Sequence, residues 1–233
     1  IADGYIEGRY KLSELSNVLQ QFLSEYISSY KPDSVQTDST DIFDIDFAFT
    51  LKSFDVITGL FIPALAVSDK TNFEGQFRSS NNQLKINIDS DKITYSGVHL
   101  DFSTITIETF LQKIYIGLQS KQLLLTEQTA LEHLSLSSVV DNNNINYSLF
   151  WNNFKDVNNN SGDIQGNFVL LDSARVKLML GLSAFTIDDN RWEIDNNSTV
   201  FYAKESLSVQ NLRIFKEDQQ ILISDNVNQN SVA

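Results

Sequence analysis

The chain has 233 residues, 42% of them hydrophobic, and a formal net charge of −13 from 30 acids and 17 bases. That is room for a sizeable core. So acidic a balance argues against a nucleic-acid backbone or an anionic membrane face as the main partner, because both attract basic patches. With 0 Cys, disulfides, thiolate metal sites and a cysteine nucleophile are excluded.

The first residues lack the basic, apolar, small-residue order of a signal peptide. A short opening strand leads into residues 11–30, where Leu12, Leu15, Val18, Leu19, Phe22, Leu23, Tyr26, Ile27 and Tyr30 recur at steps of three and four. They draw one apolar stripe, the mark of an amphipathic helix, and Pro32 closes it. Residues 1–31 are thus expected to form one unit, strand plus helix, and 32–233 a second one built of strands. From Phe43 the period becomes 2: Phe43, Ile45, Phe47, Phe49 and Leu51 alternate with Asp44, Asp46, Ala48 and Thr50, as in a strand with one apolar face. A second, short helix is predicted over 53–62, with Ser53 as N-cap and Pro63 as its stop. The uncharged apolar stretch 56–68 is too short for a bilayer, which takes about 20 residues.

From residue 72 onward the pattern predicts strands at 73–79, 84–89, 92–95, 98–102, 114–118, 131–139, 145–151, 164–170, 176–180, 191–195, 199–203, 207–215 and 220–224. Clusters of Asn, Asp, Ser and Gly at 79–83, 141–144, 157–162, 188–190 and 195–198 supply the turns. No helix of crossover length separates these strands, so a parallel doubly wound sheet is excluded and an antiparallel meander is expected. A long sheet with one oily face must close, stack or curl around a ligand; periodicity does not choose among the three.

Catalytic chemistry leaves little trace. His99 and His133 each stand alone in a predicted strand, and no nucleophile-elbow, zincin, Walker A or dinucleotide fingerprint occurs. Asp44 and Asp46 make a D-x-D pair, which the alternation explains as two acids on a wet face. In 156–162 a calcium loop would need Gly and Glu where Ser161 and Asn167 stand, so an Asn-rich turn is read there. The sequons at Asn159, Asn196 and Asn197 have meaning only in a eukaryotic secretory route. No catalytic residue, metal ligand or cofactor is assigned, and an enzyme is not expected.

The run from Ser183 to Asn197 (SAFTIDDNRWEIDNN), followed by Ser206–Phe215 (SLSVQNLRIF) and QQILIS over 219–224, resembles a recurring element of the TamB group in the AsmA-like superfamily. Upstream, Gly4-Tyr-Ile-Glu-Gly8, Phe73-Glu-Gly-Gln-Phe77, Leu84-Lys-Ile-Asn-Ile88, Tyr147-Ser-Leu-Phe-Trp151 and Gly162-Asp-Ile-Gln-Gly166 are similar to its middle repeats. Asn226 and Val227 depart from the pattern, standing where the group often has Gly. The resemblance implies a mainly β fold: a long antiparallel curled sheet, the β-taco, with a concave apolar face. It further implies a translocation and assembly module of the cell envelope, anchored in the inner membrane through parts outside this segment and reaching across the periplasm. There it would move phospholipid toward the outer membrane, with an outer-membrane barrel as a possible partner in outer-membrane biogenesis and protein secretion. The chain is then read as a piece of a longer protein.

On that reading the groove would be lined by Phe43, Ile45, Phe47, Phe49, Phe73, Phe77, Ile86, Ile88, Ile114, Ile116, Ile145, Tyr147, Leu149, Trp151, Leu207, Val209 and Leu212. Acyl chains would be the ligand and no nucleic acid is expected. Ordinary core packing accounts equally well for any one of these residues. Two alternatives stand beside it: a closed β-sandwich that binds carbohydrate or protein at the cell surface, and a scaffold offering strand edges to outer-membrane proteins during assembly.

Overall fold

The computed structural model describes residues 2–29, 42–52, 65–126, 129–153, 160–172, 174–204 and 206–225. Strands take 72% of them, about three times the usual share of a soluble domain, which makes the protein mainly β. In chain order the elements are β1 (Ala2–Arg9), α1 (Leu15–Tyr26), β2 (Asp44–Leu51), β3 (Leu65–Val67), β4 (Asn72–Arg78), β5 (Gln83–Tyr95), β6 (Val98–Phe110), β7 (Lys113–Thr126), β8 (Thr129–Asp141) and β9 (Asn144–Asn153). They continue as β10 (Asn160–Leu170), β11 (Arg175–Leu180), β12 (Ser183–Ile187), β13 (Asn190–Ile194), β14 (Thr199–Ala203), β15 (Ser206–Gln210), β16 (Leu212–Lys216) and β17 (Gln219–Ile223). The predicted second helix at 53–62 lies outside the described residues.

Among the described residues all strands join one 17-stranded antiparallel sheet that does not close on itself. From β1 to β2, and then from β4 through β10, neighbours in space follow the order of the chain. The long β10 pairs at one end with β11 and at the other with β12, and two branches run on from there, β11–β14–β15 and β12–β13–β16–β17. Tight hairpins make this possible. Ser96-Gly97, Asn142-Asn143 and Asp188-Asp189 all carry positive φ at both positions, the backbone that a two-residue turn needs to match strand twist. Among the described residues the sheet is open, not the closed sandwich of the first alternative.

Several strands are longer than the sequence pattern predicts, because they bend where they were expected to stop. The two predicted strands 84–89 and 92–95 are halves of β5, and 98–102 is only the first part of β6. At the bend one residue per strand leaves the ladder. Ser90 faces Ser103 and Lys92 faces Asp101, which strands Asp91 and Phe102; Lys121 and His133 are skipped in the same way on β7 and β8. Phe102 (φ 49°) and His133 (φ 50°) take the left-handed backbone to do it.

Small hydroxyl side chains fill the inside of this corner. Ser90, Ser103 and Ser120 are all buried, while Phe102 on the outer side is 60% exposed. The hydroxyls take up carbonyls released from the ladder: Ser90 Oγ donates to Lys92 O (3.0 Å) and Ser120 Oγ to Asp101 O (2.8 Å), while Ser103 Oγ donates to Ser120 Oγ (3.0 Å). On β8 the same position is held by Leu134, 3% exposed, and the Lys92 carbonyl also accepts from Ser68 N (2.8 Å); an apolar side chain at Ser120 would take the hydroxyl donor away from the Asp101 carbonyl. The line continues through Ser183, whose Oγ accepts from Gln165 N (2.9 Å), and Ser198, whose Oγ donates to Asn211 O (3.1 Å). Here β11 and β12, β13 and β14, and β15 and β16 are the two halves of strands bent at this crease, so the single strand predicted at 207–215 is broken at Asn211 (φ 54°).

Asn153 ends β9 by imitating a strand. Its Oδ1 accepts from Glu132 N (2.8 Å) and its Nδ2 donates to Ala130 O (2.9 Å). Asn153→Leu is therefore expected to cost about 2–3 kcal/mol by leaving both backbone groups unpaired. Hydrogen exchange checks this locally: the Glu132 amide should exchange at least tenfold faster, with the amides of β5 unchanged.

The helix forms as the stripe predicts, opening with a single 3-10 turn (Leu12–Glu14) and ending at Tyr26, earlier than Pro32 requires. Its end is fixed by the sheet. Asn143 N donates to Tyr26 O (3.3 Å) and the Tyr26 hydroxyl donates to Asn82 O (3.3 Å). Val18, Phe22 and Tyr26 pack on Phe43, Ile45, Phe77, Ile114 and Val140, with Ile6 of β1 and Ile145 of β9 at the margins. On a flat sheet β1 and β9 would stand about 34 Å apart, at about 4.8 Å per strand, yet a helix of this length spans only about 18 Å. The sheet curls around α1. No helix among the described residues is long and apolar enough to cross a membrane.

Candidate functional site

Side chains alternate along a strand, so the registers align residues of one face into rows running across the strands. Nearest the hairpin turns at Asn82 and Asn142-Asn143 runs Ile45–Phe77–Leu84–Thr109–Ile114–Val140–Ile145, and α1 lies on it. Two residues further along each strand is Phe47–Gly75–Ile86–Ile107–Ile116–Ser138–Tyr147–Gly166. Two further again is Phe49–Phe73–Ile88–Ile105–Leu118–Leu136–Leu149–Ile164, one apolar side chain from each of β2 and β4 to β10, each directly paired with the next.

Each member of this third row is half-buried. Lateral neighbours cover their flanks, and no member of the row belongs to the cluster packed under α1. The row is about 34 Å long at about 4.8 Å per strand. On its far side runs the hydroxyl crease, and past it a second apolar line, Val67–Ile93–Leu100–Leu123–Leu131. The result is a trough with an oily floor, α1 along one side and the bent half of the sheet along the other.

Glycines keep the floor low. A Cβ on Gly75 would stand 2.7 Å from Phe47 Cζ, one on Gly166 2.6 Å from Tyr147 Oη, and one on Gly162 2.0 Å from the Trp151 indole. Each ring lies flat over the space its glycine leaves, an arrangement that stabilises glycine in strands. Phe47 also stacks on Phe73 (5.0 Å, 24°), and Tyr147 meets Phe168 at a tilt (5.0 Å, 35°). Burial pushes the Tyr147 hydroxyl pKa above the usual tyrosine value, so it stays neutral on this face.

The residues expected to line a groove divide into groups. Phe43, Ile45, Phe77 and Ile114 are 1%, 2%, 3% and 5% exposed; they form the seat of α1 and are shut off from any ligand. Phe47, Ile116 and Ile145 pack against that cluster's edge, and Ile86 and Tyr147 share the second row. Phe49, Phe73, Ile88 and Leu149 belong to the open row, and Trp151 lies just past it over Gly162. Leu207, Val209 and Leu212 sit in the two branches beyond β10, opposite Tyr202, Val200 and Ile223, and are not brought to the row. Ile105, Leu118, Leu136 and Ile164 complete the row without having been singled out. The signal for them is the alternation Ile105-Thr106-Ile107 and Leu134-Ser135-Leu136, but only the register assigns them to one line.

The other candidates have structural partners. Asp44 and Asp46 both hold Arg78, from the neighbouring strand β4: Asp44 Oδ1 is 2.5 Å from Arg78 Nε and Asp46 Oδ2 is 2.6 Å from Nη2. His99 Nδ1 is 2.9 Å from Thr94 Oγ1, and His133 stands at the outer side of the bend. Among the described residues no group of His, Asp and Glu is placed to hold a metal ion. A separate hollow of about 580 Å³ lies on the opposite face of the sheet, between Phe150 and Phe215, with Asp163, Ala184 and Glu193 in register between them. Comparison with protein-family models, curated proteins and solved structures finds no match.

Proposed function

We propose that this chain is a periplasmic segment of a TamB-like envelope protein, in which the open row holds phospholipid acyl chains on their way between the inner and outer membranes. The observation that carries the reading is the unbroken half-buried row from Phe49 to Ile164. Each methylene taken from a bilayer into water costs about 0.8 kcal/mol, and an apolar trough open along its length removes that cost without any reaction chemistry. A trough of about 34 Å exceeds the roughly 15 Å of one leaflet's acyl layer, half of a hydrocarbon core of about 30 Å, so a chain has room to travel. The acidic surface stays solvated outside. Anchoring in the inner membrane and contact with an outer-membrane barrel would belong to parts beyond this segment.

Photo-crosslinking in cells tests the proposal. With benzoylphenylalanine at Ile105 of the full-length protein, phospholipid should be captured; at the adjacent, outward-facing Thr106 it should not. Capture of none at Ile105, with capture on a proven lipid carrier in parallel, would sink the reading. Capture of nascent barrel strands instead would move it to the assembly scaffold.

A further inference from the structure

We infer that α1 forms the second wall of the lipid lane, with Leu19 and Leu23 touching the acyl chain; the inference rests on the groove reading. The helix carries two apolar lines. Val18, Phe22 and Tyr26 face the sheet and are buried. Leu15, Leu19 and Leu23, also spaced by four, lie about 60° round the helix. Leu19 is half-buried, and Leu23 is 37% exposed despite belonging to a helix wedged in a trough.

The direction in which this second line points follows from the other flank. Gln21 and Glu25 border a small hollow together with Ser79 and Asn82, at the hairpin end of the sheet, and Asn82 Nδ2 donates to Glu25 Oε2 (2.5 Å). Leu19 and Leu23 stand about 120–160° round the helix from Gln21 and Glu25. They face away from the turns, down the trough, toward the row of Ile88, Ile105 and Leu118.

A lane remains between these walls. Same-face rows are about 6.7 Å apart, so the row at the margin of α1 and the hydroxyl crease, two spacings apart, stand about 13 Å from each other. An added strand is excluded, since β5 to β9 are paired on both edges and offer no free backbone groups on this face. An extended hydrocarbon chain needs no such groups and fits, lying across the strands between α1 and the bend.

Benzoylphenylalanine at Leu23, at Gln21 and at Ile105 of the full-length protein separates the possibilities. The expected result is phospholipid capture at Leu23 within about threefold of that at Ile105, with less than a tenth of it at Gln21. Capture at Ile105 with only the Gln21 level at Leu23 would overturn the wall while leaving the groove; capture at neither would overturn the groove itself. As a second reading, Leu23→Gln, at an exposed position that the fold tolerates, should lower capture at Ile105 at least threefold. Unchanged capture there would count against contact between α1 and the ligand.

Discussion

Phe22→Ala is expected to cost about 3–5 kcal/mol of stability. Phe22 is 3% exposed; its ring meets Phe77 edge-on (5.3 Å, 88°) and Tyr26 at a tilt (5.1 Å, 52°), geometries that add to the value of the burial itself. The cavity cannot easily collapse. Tyr26 is tied at both its carbonyl and its hydroxyl to turns of the sheet, so the helix is held above the gap. In urea titrations followed by circular dichroism, the midpoint should fall sharply for Phe22→Ala and shift by less than about 1 kcal/mol for Leu23→Ala, since a side chain that exposed has little burial to lose. Similar losses from the two would show that the stripe does not dock as described.

Gly75→Val is expected to be nearly as damaging, at about 3 kcal/mol or more. Its Cβ would stand 2.3 Å from the backbone oxygen of Lys85 and 2.7 Å from Phe47 Cζ. The carbonyl belongs to β5 and cannot move without breaking the β4–β5 ladder. The ring could move only by standing up into the trough, losing its stack on Phe73 and its place at the edge of the α1 seat. Gly117→Ala supplies the comparison: its Cβ meets only Thr106 Oγ1 at 2.7 Å, a group that turns about χ1, so less than about 1 kcal/mol is expected. Equal urea midpoints for the two variants would refute the close approach at Gly75.

How far the fold could be read from the residues depends on the range of each signal. The stripe from Leu15 to Tyr26 and the alternation from Ile45 to Leu51 are local, and both elements form where those patterns lie. Paired turn residues such as Asn142-Asn143 likewise mark hairpins by their own backbone preference. Strand lengths were harder. Asp91, Phe102, Lys121 and His133 interrupt the alternation as a strand end would, and Ser90, Ser103 and Ser120 put polar groups on the apolar face. Only the hydroxyl-to-carbonyl bonds across the crease reveal these positions as a bend.

For the candidate site the residue type was legible and the access was not. Phe43 and Phe49 look alike in sequence, since both are inward aromatics of one alternating run, yet Phe43 is sealed under α1 and Phe49 belongs to the open row. Ile105, Leu118, Leu136 and Ile164 were indistinguishable from ordinary strand interior until register set them beside Ile88 and Leu149.

By itself the sequence determined the element types, the sidedness of each strand and the antiparallel order, because periods of 3.6 and 2 and the demands of tight turns act within a few residues. Only the tertiary structure decided that the sheet curls without closing, that α1 fills one side of the curl, and that one half-buried row lies outside the cluster under α1. Curvature sums small bends over many strands, and the seat of α1 depends on partners as distant in the chain as Asn82 and Asn143 from Tyr26. No local period carries that information.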